Sequence, residues 1–397
     1  MRAARAERAG GGVPGRGQPR PQISLSEGTA LGTCLAWPVA VLYLPAVVAA
    51  EGREDGWLGM LLAGLVLIPV GLLLGALAHR VPRLGLVDQA TLALGKALGR
   101  VVAAVFVLGT SVLAAYAVRA GAEMVRLLML PRTPPWVISL VIALQGAVGA
   151  WFGLEVVARA AVMAFLSVGA LLLVLIPGFI PMFDARRLFP VLSYGPGPLL
   201  RSAAVSAGFW GQVVLLAMSA ESFRTPAELR ASALRAGAAS LATGWLLFVL
   251  AQGSAGWYGV SEFAMPNVEV MRAVRFYLPL FERVDVLVVT GWTAMGFVQV
   301  AWLVWALARG VSRLAGAVDS RPFVVPVAAA LWGASLVGPE DLPGLLLRWT
   351  RLLVPLATGV LVLTVALVWL TAAVRRPALP APGGAGRDGR GAVEHGG

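Results

Sequence analysis

Between Ser26 and Val374 the chain is a succession of long apolar runs separated by short polar connections. Residues 101–122 carry a single charge, Arg119. About 20 such residues wound as a helix, at roughly 1.5 Å each, cover the ~30 Å hydrocarbon core of a bilayer. Ten runs meet this description, near residues 26–49, 57–78, 101–122, 136–152, 160–182, 199–220, 234–258, 284–308, 323–338 and 351–373. The ninth is the shortest and begins among prolines, Pro322 and Pro326. The pattern predicts an all-α membrane protein of about ten spans, one transmembrane domain over residues 23–374. Residues 1–22 hold five arginines among Gly and Pro with no apolar centre. They are expected to form a disordered cytoplasmic tail rather than a cleavable signal, and the Pro/Gly-rich residues 375–397 a second one.

Composition sharpens this reading. The chain is 58% hydrophobic and only 13% charged, against about 25% charge in soluble domains. A net charge of +12 is compatible in principle with nucleic acid. Here the basic residues lie in the tails and between the apolar runs, where membrane orientation requires them, so the expected surroundings are lipid and not nucleic acid. With the first end inside, the connections expected in the cytoplasm carry 20 Arg and Lys residues and the outer ones about half as many. That asymmetry predicts both termini inside, although Asp184-Ala185-Arg186-Arg187 falls on the outer side and opposes it. Cys34 is the only cysteine, and the histidines are His79 and His395. Such a set supports no disulfide framework, no thiol metal cluster and no histidine relay. There is no phosphate loop, and Gly195-Pro196-Gly197-Pro198 suits a turn. The expectation is a protein with no cofactor, no metal and no enzymatic activity.

Ten spans divide as five plus five, which makes spans one and six counterparts in an inverted repeat. Both contain helix breakers. Span one has Gly32, Trp37-Pro38 and Pro45, and proline removes a backbone donor. Span six has Gly208-Phe209-Trp210-Gly211-Gln212, with an amide at mid-membrane depth. Interrupted helices at matching positions of inverted halves point to a transporter binding site. The expected pocket is therefore formed by Trp37, Pro38, Val39, Ala40 and Val41 of span one and Gly208, Phe209, Trp210 and Gln212 of span six. Tyr116 and Trp292 are candidate lining aromatics, with simple packing as the alternative. Arg119 and Glu123, four apart, are placed to pair across one turn near the end of span three. Glu155 and Arg159 share that spacing at the hinge of spans four and five, and Glu282, Arg283 and Asp285 open span eight. These charged residues are structural or gating candidates. Trp57, Trp136 and Trp349 read as interface anchors.

Several stretches go further. Ile23-Ser24 opens a span that ends in Leu42-Tyr43-Leu44-Pro45, with Gly56-Trp57 beyond it. Leu130-Pro131-Arg132-Thr133-Pro134 follows span three, and Gly153-Leu154-Glu155-Val156-Val157-Ala158-Arg159 joins spans four and five. Leu188-Phe189-Pro190-Val191-Leu192 and Gly195 follow span five, and Phe281-Glu282-Arg283-Val284-Asp285 opens span eight. In this order they resemble the spore-germination permease family, the B subunits of nutrient germinant receptors, within the amino acid–polyamine–organocation transporter superfamily. The resemblance covers roughly residues 22–374 and implies a LeuT-like inverted five-plus-five fold. It also implies a small nutrient such as an amino acid as ligand, companion A and C (lipoprotein) subunits, and the spore inner membrane as location. The chain departs from the pattern at three places. Pro38-Val39-Ala40-Val41-Leu42 stands where a glycine-flanked unwound stretch is usual, Gln212 where a glutamate is common, and Ser219 where a proline is common. A free-standing ion-coupled amino acid permease is the alternative function, and a purely structural scaffold a third.

Overall fold

The computed structural model describes residues 23–273, 284–338, 341 and 344–375. The expected tails, Glu282 and Arg283 lie outside the described residues, and of Asp285 only the backbone is described. Helix α1 (Leu25–Gly52) starts at a reciprocal cap. The backbone N–H of Ser24 donates to Glu27 Oε2 at 2.7 Å, while the Glu27 N–H donates to Ser24 Oγ at 3.4 Å. Span two is α2 (Gly56–Ala63) and α3 (Leu67–Arg80), joined through a turn of 3-10 helix at Gly64–Val66. A short helix, α4 (Leu86–Leu94), precedes α5 (Lys96–Leu128), α6 (Pro135–Phe152) and α7 (Leu154–Phe179). The second half opens with α8 (Pro196–Trp210), which tightens into 3-10 helix over Gly211–Ser222. It continues with α9 (Pro226–Glu262), kinked at Gly256, and the short α10 (Pro266–Ala273). Then come α11 (Val284–Leu314), α12 (Arg321–Ser335), and α13 (Val354–Arg375), which follows a π-helical turn at Leu345–Leu353.

Among the described residues, eight helical runs are long and apolar enough to cross a membrane, and the first, Leu25–Arg80, contains two spans. The 15-residue α12 adds the short ninth span anticipated from the sequence, completing ten. Lipid-facing stripes are plain. On α13, Leu356, Leu363 and Leu370 recur every seven residues and are exposed, as are Met163, Leu166, Leu173 and Ile180 along α7 and its extension. A face of that kind is stable only against hydrocarbon. The two breaker-bearing helices occupy the opposite extreme. Every residue of α1 from Ala30 to Ala49 is buried, and so is every residue from Phe209 to Ser219. A helix apolar on all sides belongs in the centre of a bundle.

Small residues bring the central helices together. A Cβ added at Gly32 would lie 2.7 Å from the Ala236 Cβ, and one at Gly28 2.6 Å from Ser232 Oγ, so α1 and α9 approach backbone to backbone. Gly244 similarly admits the ring of Trp210. This is the way membrane helices gain van der Waals contact where lipid supplies no hydrophobic driving force.

Candidate functional site

The midpoint of α1 is where local chemistry and tertiary structure meet. Pro45 has no N–H, so the Val41 carbonyl loses its helical donor. Fully buried Asn267 of α10 supplies one, its Nδ2 donating to Val41 O at 2.8 Å. Pro38 likewise deprives the Cys34 carbonyl, and at the neighbouring carbonyl Gln299 of α11 donates from Nε2 to Leu35 O at 2.7 Å. With amides from distant segments in these places, α1 remains helical throughout. The expected paired interruption is therefore corrected: span one is not broken, and span six changes pitch at Gly211 instead of unwinding.

The predicted site residues separate into groups. Trp37 and Trp292 stack, with ring centroids 5.4 Å apart and planes within 20°. The hydroxyl of Tyr116 lies 2.7 Å from Thr350 Oγ1, and its ring meets Phe209 edge-on at 6.4 Å. Trp349 tilts against Tyr116 at 5.9 Å, so it turns into the bundle and is not a simple interface anchor. Gly208 packs on α13, where an added Cβ would come 2.5 Å from Pro355 Cα. Trp210 faces α9, and Gln212 is buried.

A cavity of about 290 Å³ lies against the α1 midpoint, walled by α5, α6 and α11. Pro38, Val39 and Trp292 line it; Trp37, Ala40, Val41, Tyr116, Gly208, Phe209, Trp210 and Gln212 do not. Its remaining walls are residues that the sequence reading passed over, among them Gly121 and Met124 of α5, Ile142 and Gln145 of α6, and Gly296 and Phe297 of α11. The signal available was modest: Gln145 is a polar residue in mid-span four, and Gly296 is a glycine in mid-span eight.

Charges are arranged around this centre. Glu123 is buried, taking Arg119 at 3.0 Å and Arg126 at 2.8 Å on its two oxygens. Arg119 is also buried, so the pair across one turn lies inside the bundle. At the face where α1 ends, Glu51 pairs with Arg201 at 3.1 Å and with Arg351, tying α1 to α8 and the π-helical turn. On the adjoining connection, Arg186 beside Asp184 holds that exposed carboxyl below its usual range. At the opposite face a polar vestibule of about 830 Å³ is bounded by α4, the α6–α7 turn and the ends of α11 and α12. There Arg309 pairs with Glu221 and Arg313 with Asp88 at 3.6 Å, so α11 is latched to span six and to α4. Glu155 and Arg159 pair on the exposed first turn of α7, Arg159 also lying 4.0 Å from Glu27 of α1. The turn before them is made by Gly153, whose φ of 91° suits glycine.

The chain's similarities agree with this architecture. Residues 22–337 match the family described as spore germination protein. Spore germination protein YndE of Bacillus subtilis is 24% identical over 298 residues, covering 75% of this chain and 82% of the relative. Spore germination protein A2 of the same organism is 32% identical over 203 residues, 49% of this chain and 52% of that one. In fold, the chain is similar to MhsT in complex with L-phenylalanine, with a TM-score of 0.67 at 13% identity, covering 90% of this chain and 92% of that one. It is also similar to Mhp1, a nucleobase-cation-symport-1 family transporter with bound bromovinylhydantoin, with a TM-score of 0.56 at 12% identity over 81% of this chain and 74% of that one. The ten helices thus adopt the LeuT-like transporter fold, and the family match extends over most of them. This multi-pass membrane protein belongs to the spore germination permease family.

Proposed function

We propose that the chain is the membrane subunit of a spore nutrient receptor, which holds a small nutrient at the α1 midpoint and passes the binding event to partner subunits. The observation that carries this reading is the cavity set against proline-marked α1 and braced by two buried amides from the second half of the chain. A ligand there touches α1 and α11 together, and α11 continues to the Arg309–Glu221 and Arg313–Asp88 latches at the far face. Among the described residues no extramembrane domain is large enough to turn binding into an output. The signal then travels through the helices to another protein, which favours an A-type membrane subunit and a C-type lipoprotein as companions in the spore inner membrane. Both termini face the cytoplasm in this reading, as the basic residues suggest.

The fold of the solved transporters supports a second reading, a free-standing permease driven by an ion gradient. The two separate cleanly. Purification in mild detergent from sporulating cells should recover the A-type subunit with this chain. Recovery of the chain alone, together with nutrient uptake by liposomes that contain nothing else, would sink the receptor reading in favour of the permease.

A further inference from the structure

We propose that the cavity beside α1 takes an electrically neutral, mainly apolar molecule of about bicyclic size. This rests on the reading that the chain binds a small molecule at the α1 midpoint, and it assigns the chemical class of that molecule.

No ionisable side chain lines the cavity among the described residues. This is a matter of arrangement, because α5 carries Arg119, Glu123 and Arg126 along the same stretch as the lining residues Gly121 and Met124. Those three charges bind one another, and none of them reaches the cavity wall. Cys34, whose carbonyl Pro38 leaves without its helical donor, is not among the lining residues, so the backbone offers no substitute at the cavity wall. The α1 carbonyls of Leu35 and Val41 are taken by Gln299 and Asn267, and an intact helix keeps its N–H groups internal. A zwitterion would leave an ammonium and a carboxylate without counter-charges in a site of low polarity, an arrangement disfavoured by the desolvation of both ions.

What the walls do offer is apolar surface and a few neutral polar groups. Trp292 lines the cavity and is buried. Stacking on Trp37 holds that ring in place. Half-buried Gln145 and exposed Thr293 are neutral polar groups at the wall. At about 290 Å³ the cavity is near twice the ~150 Å³ apolar cavity that takes up benzene. Its flank is formed by Leu130 and Val141, both exposed on the outside of the bundle, so an apolar molecule has an approach between α5 and α6.

Phenylacetamide and L-phenylalanine share a benzyl group and differ in charge, which makes them a discriminating pair of probes. Titration calorimetry on the full chain in nanodiscs should show phenylacetamide binding at least about ten-fold more tightly than L-phenylalanine. Gly296→Leu projects into open space, since an added Cβ meets nothing within 4 Å. Leucine is also the better helix former, so this variant should keep its thermal midpoint while losing phenylacetamide affinity about ten-fold or more. If L-phenylalanine binds as tightly as phenylacetamide and is displaced by Gly296→Leu, the cavity is right and the neutral class is wrong, with the receptor reading intact. If neither probe binds in a manner sensitive to Gly296→Leu, the cavity assignment falls. Phenylacetamide binding sensitive to Gly296→Leu, combined with recovery of the chain alone from sporulating cells and solute uptake by liposomes that contain only it, would instead overturn only the receptor reading.

Discussion

The hydrogen bond from Asn267 to Val41 makes a quantitative test of how α1 stays whole. Both partners are buried, Asn267 completely and Val41 at 2% exposure, and their separation is 2.8 Å. Asn267→Ala leaves the Val41 carbonyl without a donor, because position 45 is proline. Stranding a buried carbonyl costs about 1–3 kcal/mol. Side-chain hydrogen bonds in membrane bundles average nearer ~0.6 kcal/mol, with ~1.7 as the upper end. The Asn267 Oδ1 has no partner among the described residues, so removing it relieves a small opposing cost. The net expectation is a loss of about 1–2 kcal/mol. Pro45→Ala restores an N–H four residues after Val41, where the helix itself satisfies the carbonyl. In that background Asn267→Ala should cost under about 0.5 kcal/mol, giving a coupling near 1 kcal/mol between residues 45 and 267. Reversible unfolding of the four proteins in mixed micelles with increasing dodecyl sulfate measures the cycle. Equal costs of Asn267→Ala in both backgrounds would falsify the claim that this amide replaces the donor proline removes.

Two further outcomes follow from packing and charge placement. Gly208→Ala should destabilise the protein by about 1–3 kcal/mol in the same unfolding assay, since its Cβ meets the backbone of Pro355 at 2.5 Å, and an unchanged stability would mean that α8 and α13 are not in close contact. For orientation, single cysteines at exposed Ser193 and Val318 in a Cys34→Ala background should react differently in intact cells, an impermeant maleimide labelling position 193 and sparing 318, and the reverse pattern would invert the topology. Asn267, although placed in an outer connection by the sequence, is unsuitable for such labelling because it is buried.

The hydrophobic pattern alone was enough to locate the membrane helices, because the bilayer acts on each segment separately. The run read as 136–152 is the helix Pro135–Phe152. The run read as 101–122 lies within Lys96–Leu128, whose polar ends continue past the apolar stretch. The stretches from Ile23 to Asp285 that resemble germination permeases pointed to the LeuT-like fold, which the ten helices adopt. The state of α1 and the walls of the cavity were not legible in this way. Prolines at 38 and 45 signal an interruption, and at Pro45 whether one forms depends on a donor 226 residues beyond the stranded Val41 carbonyl, Asn267. No local reading weighs a carbonyl against an amide so distant. The same holds for the cavity, whose α6 wall comes from a helix with no distinguishing pattern beyond Gln145. Span six, rich in glycine, was the more conspicuous candidate, yet its glycines serve close packing against Pro355 and Thr358. Apolar periodicity records that a residue leaves water; which neighbours it then meets, and where they fail to fill space, is decided only when the helices pack.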